Sequence, residues 1–209
     1  MSRNTERRII MKDTENDKRV LFFDTETSGL PKYKDSYMAE QPWVVQLGMV
    51  LSTRYEIHAR SVFLIKPNGR KITAGAFNVH KINEATAEKY GISEMTACYI
   101  FLELLLNSDM TSCHNVVFDK LLTAHLLYNN GFVDEADYLW KFDAYCTMTA
   151  GTNMCMIPQK GKFAGKRWKW PKLQELHKHL FGEEFTGAHD ALADIEATRR
   201  CYYKMIKER

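Results

Sequence analysis

The sequence lacks any apolar run near the roughly 18 residues of a membrane span, and its first residues lack the apolar core of a signal peptide. Its five cysteines are scattered, odd in number and include no C-x-x-C pair. This pattern indicates neither a disulfide framework nor a zinc site, and it favours a reducing compartment. We therefore expect a soluble cytoplasmic protein with no membrane partner.

The sequence also has little net charge, +3 with a pI near 8.5, which permits contact with nucleic acid without arguing for it. A chain of 209 residues with 45% hydrophobic residues is long enough for one globular domain with a real core. Residues 1–19 mix charges of both signs with little apolar periodicity. We expect them to be flexible and residues 20–209 to form a single domain.

Hydrophobic periodicity predicts an α/β fold in which helices cover both faces of a mixed β-sheet. The first apolar run, residues 20–23, is typical of a strand buried on both faces. The predicted strands are 20–23, 43–51, 61–65, 110–113 and 138–147, the second and third forming a hairpin; the predicted helices are 83–90, 93–106, 115–129, 172–181 and 188–207; and 158–172 is a predicted loop.

Two acids, Asp24 and Glu26, directly follow the first predicted strand. Residues i and i+2 of a strand share a face, so both carboxylates should project side by side from the end of a buried strand. Two like charges there need compensation, most simply from a divalent cation with oxygen ligands such as Mg²⁺ or Mn²⁺. An isolated D-x-E also fits an ordinary polar turn that ends at Gly29.

Three more acids occupy the starts of predicted helices. Asn115 and Asp119 are four residues apart, so on a helix they would share a face; Asp119 also fits a solvated first-turn acid. Asp194 is one turn into an apolar, alanine-rich stretch, and Asp190 lies four residues earlier. Both could equally be surface acids, with His189 packing or capping the helix start.

Taken together, these three groups of residues resemble the motifs of the DEDDh branch of the DnaQ-like 3′→5′ exonucleases, which have a ribonuclease H-like fold. The matching motifs stand in the family's order: D-x-E-T-x-G-L from Asp24 to Leu30, H-N-x-x-F-D from His114 to Asp119, and H-x-A-x-x-D from His189 to Asp194. V-H-K-I at residues 79–82 is similar to the family's V-H-G-I. The sister branch has tyrosine four residues before its last aspartate, where this chain has Asp190, so the histidine branch fits better.

This resemblance implies a metal-dependent exonuclease that releases nucleoside 5′-monophosphates from a 3′ end. Asp24, Glu26 and Asp194 would hold one Mg²⁺, and Asp24 with Asp119 would contact a second; Mn²⁺ should substitute. Four carboxylates and two Mg²⁺ sum to zero charge, which lets the site admit a phosphodiester. His189 would act as the general base, because an imidazole can be neutral at cellular pH.

The same resemblance implies substrate contacts beside the acids. Leu30 would be an apolar wedge at the terminal base, although a leucine there could also be core. The 3′-terminal nucleotide would be held by Thr25, Ser28 and Asn115.

A basic stretch within residues 158–172 carries six cations and three aromatic residues but no acid. Basic residues interleaved with aromatics suit a track for single-stranded nucleic acid, and a solvated loop is the alternative. The residues predicted to contact substrate here are Lys162, Lys166, Arg167 and Lys169.

The function predicted from the sequence is thus a 3′→5′ exonuclease, with single-stranded DNA ends favoured as substrate. One alternative is an exoribonuclease that trims RNA or short oligoribonucleotides. An alternative of another class is a non-catalytic nucleic-acid-binding or polymerase-associated module. A homodimer and a polymerase partner both stay open.

Overall fold

The computed structural model describes residues 18–32, 36–187 and 190–207. Nearly all of the predicted flexible segment, residues 1–19, lies outside these ranges. Five strands and eight α-helices form the described part of the chain: β1 Val20–Thr27, β2 Val44–Ser52, β3 Ile57–Leu64, α1 Ala74–His80, α2 Glu84–Tyr90, α3 Glu94–Leu106, β4 Met110–Cys113, α4 Val116–Asn129, α5 Val133–Lys141, β5 Ala144–Cys146, α6 Thr147–Cys155, α7 Leu173–Phe181 and α8 Ala191–Lys207.

The five strands form one mixed sheet in the order β3-β2-β1-β4-β5, which confirms the predicted fold class. β1 pairs antiparallel with β2, and β2 with β3, as the predicted hairpin requires. On its other edge β1 pairs parallel with β4, and β4 pairs parallel with β5. The first strand is therefore the centre of the sheet.

Each face of β1 lies in a different apolar core, as the unbroken apolar run predicts. Leu21 and Phe23 pack in a core with side chains of α3 and α4. Val20 and Phe22 point the other way and pack against α8. Because alternate residues share a face, Asp24 continues the α8 face and Thr25 continues the α4 face.

Most predicted helices are confirmed, with the expected caps. The side chain of Ser93 accepts a hydrogen bond from Thr96 N at the start of α3. Gly182 ends α7 in the left-handed conformation, with φ of 78°. Helix α4 begins one residue later than predicted, because Asn115 has φ of 78° and precedes the helix. The prediction that Asn115 and Asp119 share a helix face is therefore wrong.

The predicted strand over residues 138–147 is also wrong in most of its length. Residues up to Lys141 belong to helix α5, and the strand is only Ala144–Cys146. The aromatic residues of this segment suggested a strand, but Ala136 and Leu139, three residues apart, form the buried side of a helix. Helices α1 and α6 were not predicted. In the part of the chain that the structure describes, no helix is both long and apolar enough to cross a membrane.

Candidate active site

Three carboxylates meet at the end of the central strand. One oxygen each of Asp24, Glu26 and Asp194 lies within 4.8 Å of the others, and all three residues are half-buried. The strand period places the first two side by side, and α8 brings the third onto the same face. This spacing suits a hard cation that takes several oxygen ligands.

A glycine allows α8 to come this close to the sheet. Gly48 of β2 lies directly opposite Asp24 in the β1–β2 register. A Cβ at Gly48 would lie 2.5 Å from Ile195 Cδ1 and 3.2 Å from Ala191 Cβ. The missing side chain therefore lets the helix that carries Asp194 pack directly on the strand pair.

The fourth acid, Asp119, reaches the site from the opposite face of the sheet. It lies in the first turn of α4 but is only 2% exposed, so it is not a solvated surface acid. Its Oδ1 accepts hydrogen bonds from Thr25 N at 3.0 Å and Thr25 Oγ1 at 2.8 Å. These two bonds orient the carboxylate beside β1, and both come from Thr25, one of the predicted substrate contacts.

Burial and repulsion from neighbouring acids raise the pKa values of three of the four acids. Loss of hydration, and then the charge of Asp194, raises the pKa of Asp24 to about 7. Loss of hydration, followed by Asp24 and Asp194, raises the pKa of Glu26 to about 8. Burial and then Asp24 raise the pKa of Asp119 well above its usual range, despite the bonds from Thr25. Bound cations would relieve both effects, so the donor set fits divalent metal ions.

Asp190 has a different task from Asp194. Its Oδ1 accepts hydrogen bonds from Leu192 N and Ala193 N, both at 3.1 Å, which makes it the cap of α8. The expectation that Asp194, and not Asp190, faces the first two acids is met by the geometry. His189 lies outside the described residues.

An apolar cavity of about 590 Å³ lies next to the acids and is suitable for a terminal nucleotide. Leu30 forms one wall and is 86% exposed, so the alternative that it belongs to the core is wrong. The cavity is also lined by Phe118 and by Ala76, Val79 and His80 of helix α1. Of these residues, Val79 and His80 could be noticed in the sequence only as part of the V-H-K-I motif.

The V-H-K-I motif fastens helix α1 to the end of β1. His80 Nδ1 accepts a bond from Ile82 N at 3.0 Å, so the opposite nitrogen carries the proton and donates to Thr27 O at 3.3 Å. Lys81 takes the left-handed conformation, with φ of 61°, that a glycine adopts without strain. The turn that the family's glycine would make is therefore present here with lysine.

A second cavity, of about 650 Å³, lies on the other side of Leu30. Two of its three cations, Lys32 and Arg70, pair with Glu40 at 2.9 Å and Glu94 at 2.8 Å respectively. None of the four acids lines this second cavity, whereas Glu26 lines the apolar one.

Two residues predicted to hold the terminal sugar lie near the ends of β1 and β4. Ser28 is buried, and its Oγ accepts a hydrogen bond from Trp43 N at 3.1 Å. Asn115 is half-buried and sits at the junction of β4 and α4, where its left-handed backbone turns the chain sharply. The asparagine side chain tolerates that conformation better than most.

His114 links the active site to residues 158–172, which we call the basic loop. Its Nε2 donates to Pro171 O at 3.0 Å, and Nδ1 pairs with Thr147 Oγ1 at 3.0 Å. Burial lowers the pKa of this imidazole to about 4, so it is neutral at physiological pH. These contacts give His114 a structural role.

The basic loop is held by one of its own lysines. Lys169 Nζ lies 2.6 Å and 2.7 Å from the two carboxylate oxygens of Glu175 in α7. Glu175 also accepts from Lys172 N at 2.7 Å. On the exposed part of the loop, Arg167 and Lys162 lie over the Phe163 ring at 4.0 Å and 5.1 Å. Of the four loop residues predicted to contact substrate, Lys169 therefore has a protein partner, and Lys162, Lys166 and Arg167 are exposed cations.

The mixed sheet and the four acids at the end of its central strand define a metal-dependent hydrolase with the ribonuclease H-like fold. The sequence profile of the exonuclease family RNase_T matches residues 21–202. The match spans most of the chain, and the chain therefore belongs to this exonuclease family.

Solved structures with the same fold include Exonuclease I of Escherichia coli. In complex with a dA16 oligonucleotide it is 22% identical, with a TM-score of 0.68, and the match covers 92% of this chain and 41% of that chain. The dT13 complex gives 21% identity and a TM-score of 0.70 over the same shares. This chain thus spans about two fifths of the length of Exonuclease I. The comparison with curated proteins found no significant match.

Proposed function

We propose that this chain is a 3′→5′ exonuclease that hydrolyses phosphodiester bonds from the 3′ end of single-stranded DNA and releases nucleoside 5′-monophosphates. The observation that carries the proposal is the convergence of Asp24, Glu26 and Asp194 within 4.8 Å, with Asp119 hydrogen-bonded beside them. Burial and neighbouring acids raise the pKa values of Asp24, Glu26 and Asp119, which makes the cluster costly for the fold and of little use in a protein that only binds.

Mg²⁺ is the proposed cofactor, with two ions per site and Mn²⁺ as a substitute. Asp24, Glu26 and Asp194 would hold one ion, and Asp24 with Asp119 the other. Bound Mg²⁺ would supply charge to stabilise the phosphodiester in the transition state and would lower the pKa of a coordinated water.

The protein's own groups orient the substrate and move the proton. His189 takes a proton from the attacking water, as the motif predicts. The terminal base enters the apolar cavity against Leu30, while Ser28 and Asn115 hold the sugar. Thr25 acts mainly through Asp119, whose carboxylate it orients with two hydrogen bonds.

The preference for DNA is supported by Exonuclease I, which was solved with dA16 and dT13 oligonucleotides. An exoribonuclease that trims RNA or short oligoribonucleotides is the alternative within the same class. Matched DNA and RNA strands of one sequence, each labelled at the 5′ end, would separate the two by the rate of shortening. Faster loss of the RNA would reverse the assignment.

The basic loop is proposed as the track for the strand behind its 3′ end. Each phosphate contact with a single strand should add about 0.7 to the slope of log K against log salt. Replacing Lys162, Lys166 and Arg167 together by Gln should flatten that slope for a long strand, measured in Ca²⁺ to suppress turnover. Lys169→Gln is the matched control, because its ammonium already pairs with Glu175 and should add little to the slope.

The catalytic proposal is tested by nucleotide release with Mg²⁺ and with EDTA. Asp24→Asn, Asp119→Ala and Asp194→Asn should each abolish release while the protein stays folded. Asp190→Asn should keep substantial activity, because asparagine caps a helix as well as aspartate does. Full activity in any of the first three variants would remove the metal assignment, and release in EDTA would remove the cofactor.

A further inference from the structure

Two tryptophans stand exposed on the basic loop, close to each other and to the cations. Trp170 is 61% exposed and Trp168 is 43% exposed. Both line one cleft of about 390 Å³, together with Gln159, Arg167 and Lys169. Indole rings carry much apolar surface, and their exposure is costly unless a ligand covers them.

The backbone of the loop holds both indoles at the same cleft. Trp168 forms an antiparallel bridge with Pro158, and Lys169 N donates to Ile157 O at 2.8 Å, so this segment is extended. In an extended segment the residues on either side of Lys169 point to the same side. Lys169 itself binds Glu175 of α7, which fixes the direction in which its two neighbours point.

The cleft is also fastened to the wall of the active site. Trp170 directly precedes Pro171, whose carbonyl accepts the hydrogen bond from His114 Nε2. His114 in turn directly precedes Asn115, which is proposed to hold the terminal sugar. A ligand in the cleft is therefore held at a fixed position relative to the acids.

The charge around the cleft selects the ligand. Among the described residues, no acid forms an ion pair with Lys160, Lys162, Lys166 or Arg167. Flat aromatic faces bordered by Arg167, with the three lysines elsewhere on the same loop, suit an unpaired base and its flanking phosphates. A base inside a duplex has no free face for stacking.

We propose that Trp168 and Trp170 form a stacking site for one base of the single strand upstream of the 3′-terminal nucleotide. The proposal rests on the proposed function and gives it a specificity element: the cleft favours single-stranded ends at least a few nucleotides long. Removal of one stacking ring should weaken binding of such a strand about 5- to 150-fold.

The test is a scan with oligonucleotides that carry one abasic site at successive positions, bound in Ca²⁺ by the wild type, Trp170→Ala and Trp170→Phe. We expect one abasic position to weaken binding by the wild type and to weaken binding by Trp170→Ala less, because the two changes share the contact of the Trp170 ring. Trp170→Phe should restore part of the affinity. Tyr55→Ala is the control, since Tyr55 is 74% exposed in the β2–β3 turn, beyond the Ser52–Val20 pair at the far end of the sheet.

A merely structural role for Trp170 gives a different result. If the ring only supported the loop, Trp170→Ala would weaken every strand equally, abasic or intact, and the melting temperature would fall. That outcome, or wild-type affinity in Trp170→Ala, overturns the stacking site even if the enzyme releases nucleotides normally. Conversely, absence of nucleotide release by the wild type in Mg²⁺ would remove the proposed function and leave the abasic scan in Ca²⁺ to decide the stacking site.

Discussion

Replacing Asp24 by asparagine should make the metal-free protein more stable at neutral pH, although it should destroy activity. Burial and Asp194 raise the pKa of Asp24 from 3.8 to about 7 in the folded state. The folded state therefore binds a proton that the unfolded chain releases near pH 4. Because the folded state holds more protons between these values, the free energy of unfolding falls as pH rises from 4 to 7.

One pKa unit corresponds to about 1.4 kcal/mol, so the loss reaches at most about 4 kcal/mol by pH 8. Asparagine carries no charge and escapes this loss. The stability difference between Asp24→Asn and the wild type should therefore grow between pH 4 and pH 8. Comparing the same two proteins at both pH values cancels any fixed effect of the substitution on packing.

The assay is urea denaturation in EDTA across this pH range, with Asp190→Asn as the matched control. Asp190 is an exposed helix cap, so its variant should follow the wild-type curve. Added Mg²⁺ should stabilise the wild type by mass action and Asp24→Asn much less. A difference that stays constant with pH, or equal stabilisation of both proteins by Mg²⁺, would refute the reasoning.

Three further predictions concern residues around the acids. Gly48→Ala should destabilise the protein by about 1–3 kcal/mol and lower kcat, because the new methyl group meets Ile195 and displaces α8. Gly75→Ala is the control, since Gly75 has open space around it, and this variant should not be destabilised in the same thermal denaturation experiment. His114→Asn should be less stable than the wild type at pH 7. The difference should shrink by up to about 3 kcal/mol toward pH 4, because the pKa of the buried wild-type imidazole is lowered to about 4 and its protonation in acid destabilises the wild type. A difference that does not change with pH in the same denaturation series would contradict this. His189→Ala should lower kcat by about 10² to 10⁴ with little effect on substrate affinity in Ca²⁺, and it should lose the rise of rate with pH that the wild type shows; a wild-type kcat would make His189 structural.

The features predicted best from the sequence are those that depend on neighbouring residues in the chain. The side-by-side placement of Asp24 and Glu26 follows from the period of a strand, and the apolar run before them required burial on both faces. The motif order grouped Asp119 and Asp194 with them. How those two acids arrive, one from each face of the sheet, depends on the packing of α4 and α8, which no local pattern encodes.

The features that were predicted wrongly or overlooked have a common physical reason. The aromatic residues of α5 favour a strand by propensity, and only the tertiary contacts of Ala136 and Leu139 make that segment a helix. Gly48 looked like an ordinary strand residue, because the helix that needs its missing side chain comes more than 140 residues later. Likewise the sequence placed Lys169 among the free cations, since its partner Glu175 belongs to the next element.

The position of Asp194 on the last described helix links metal binding to local unfolding. Helix α8 carries only this one of the four acids, and it docks on β1 mainly through Ile195, Tyr202 and Tyr203. A transient detachment of α8 would dismantle the metal site while the rest of the sheet stayed intact. Divalent cations should therefore slow amide hydrogen exchange most strongly in α8, and on heating without them α8 should lose its structure before the sheet melts.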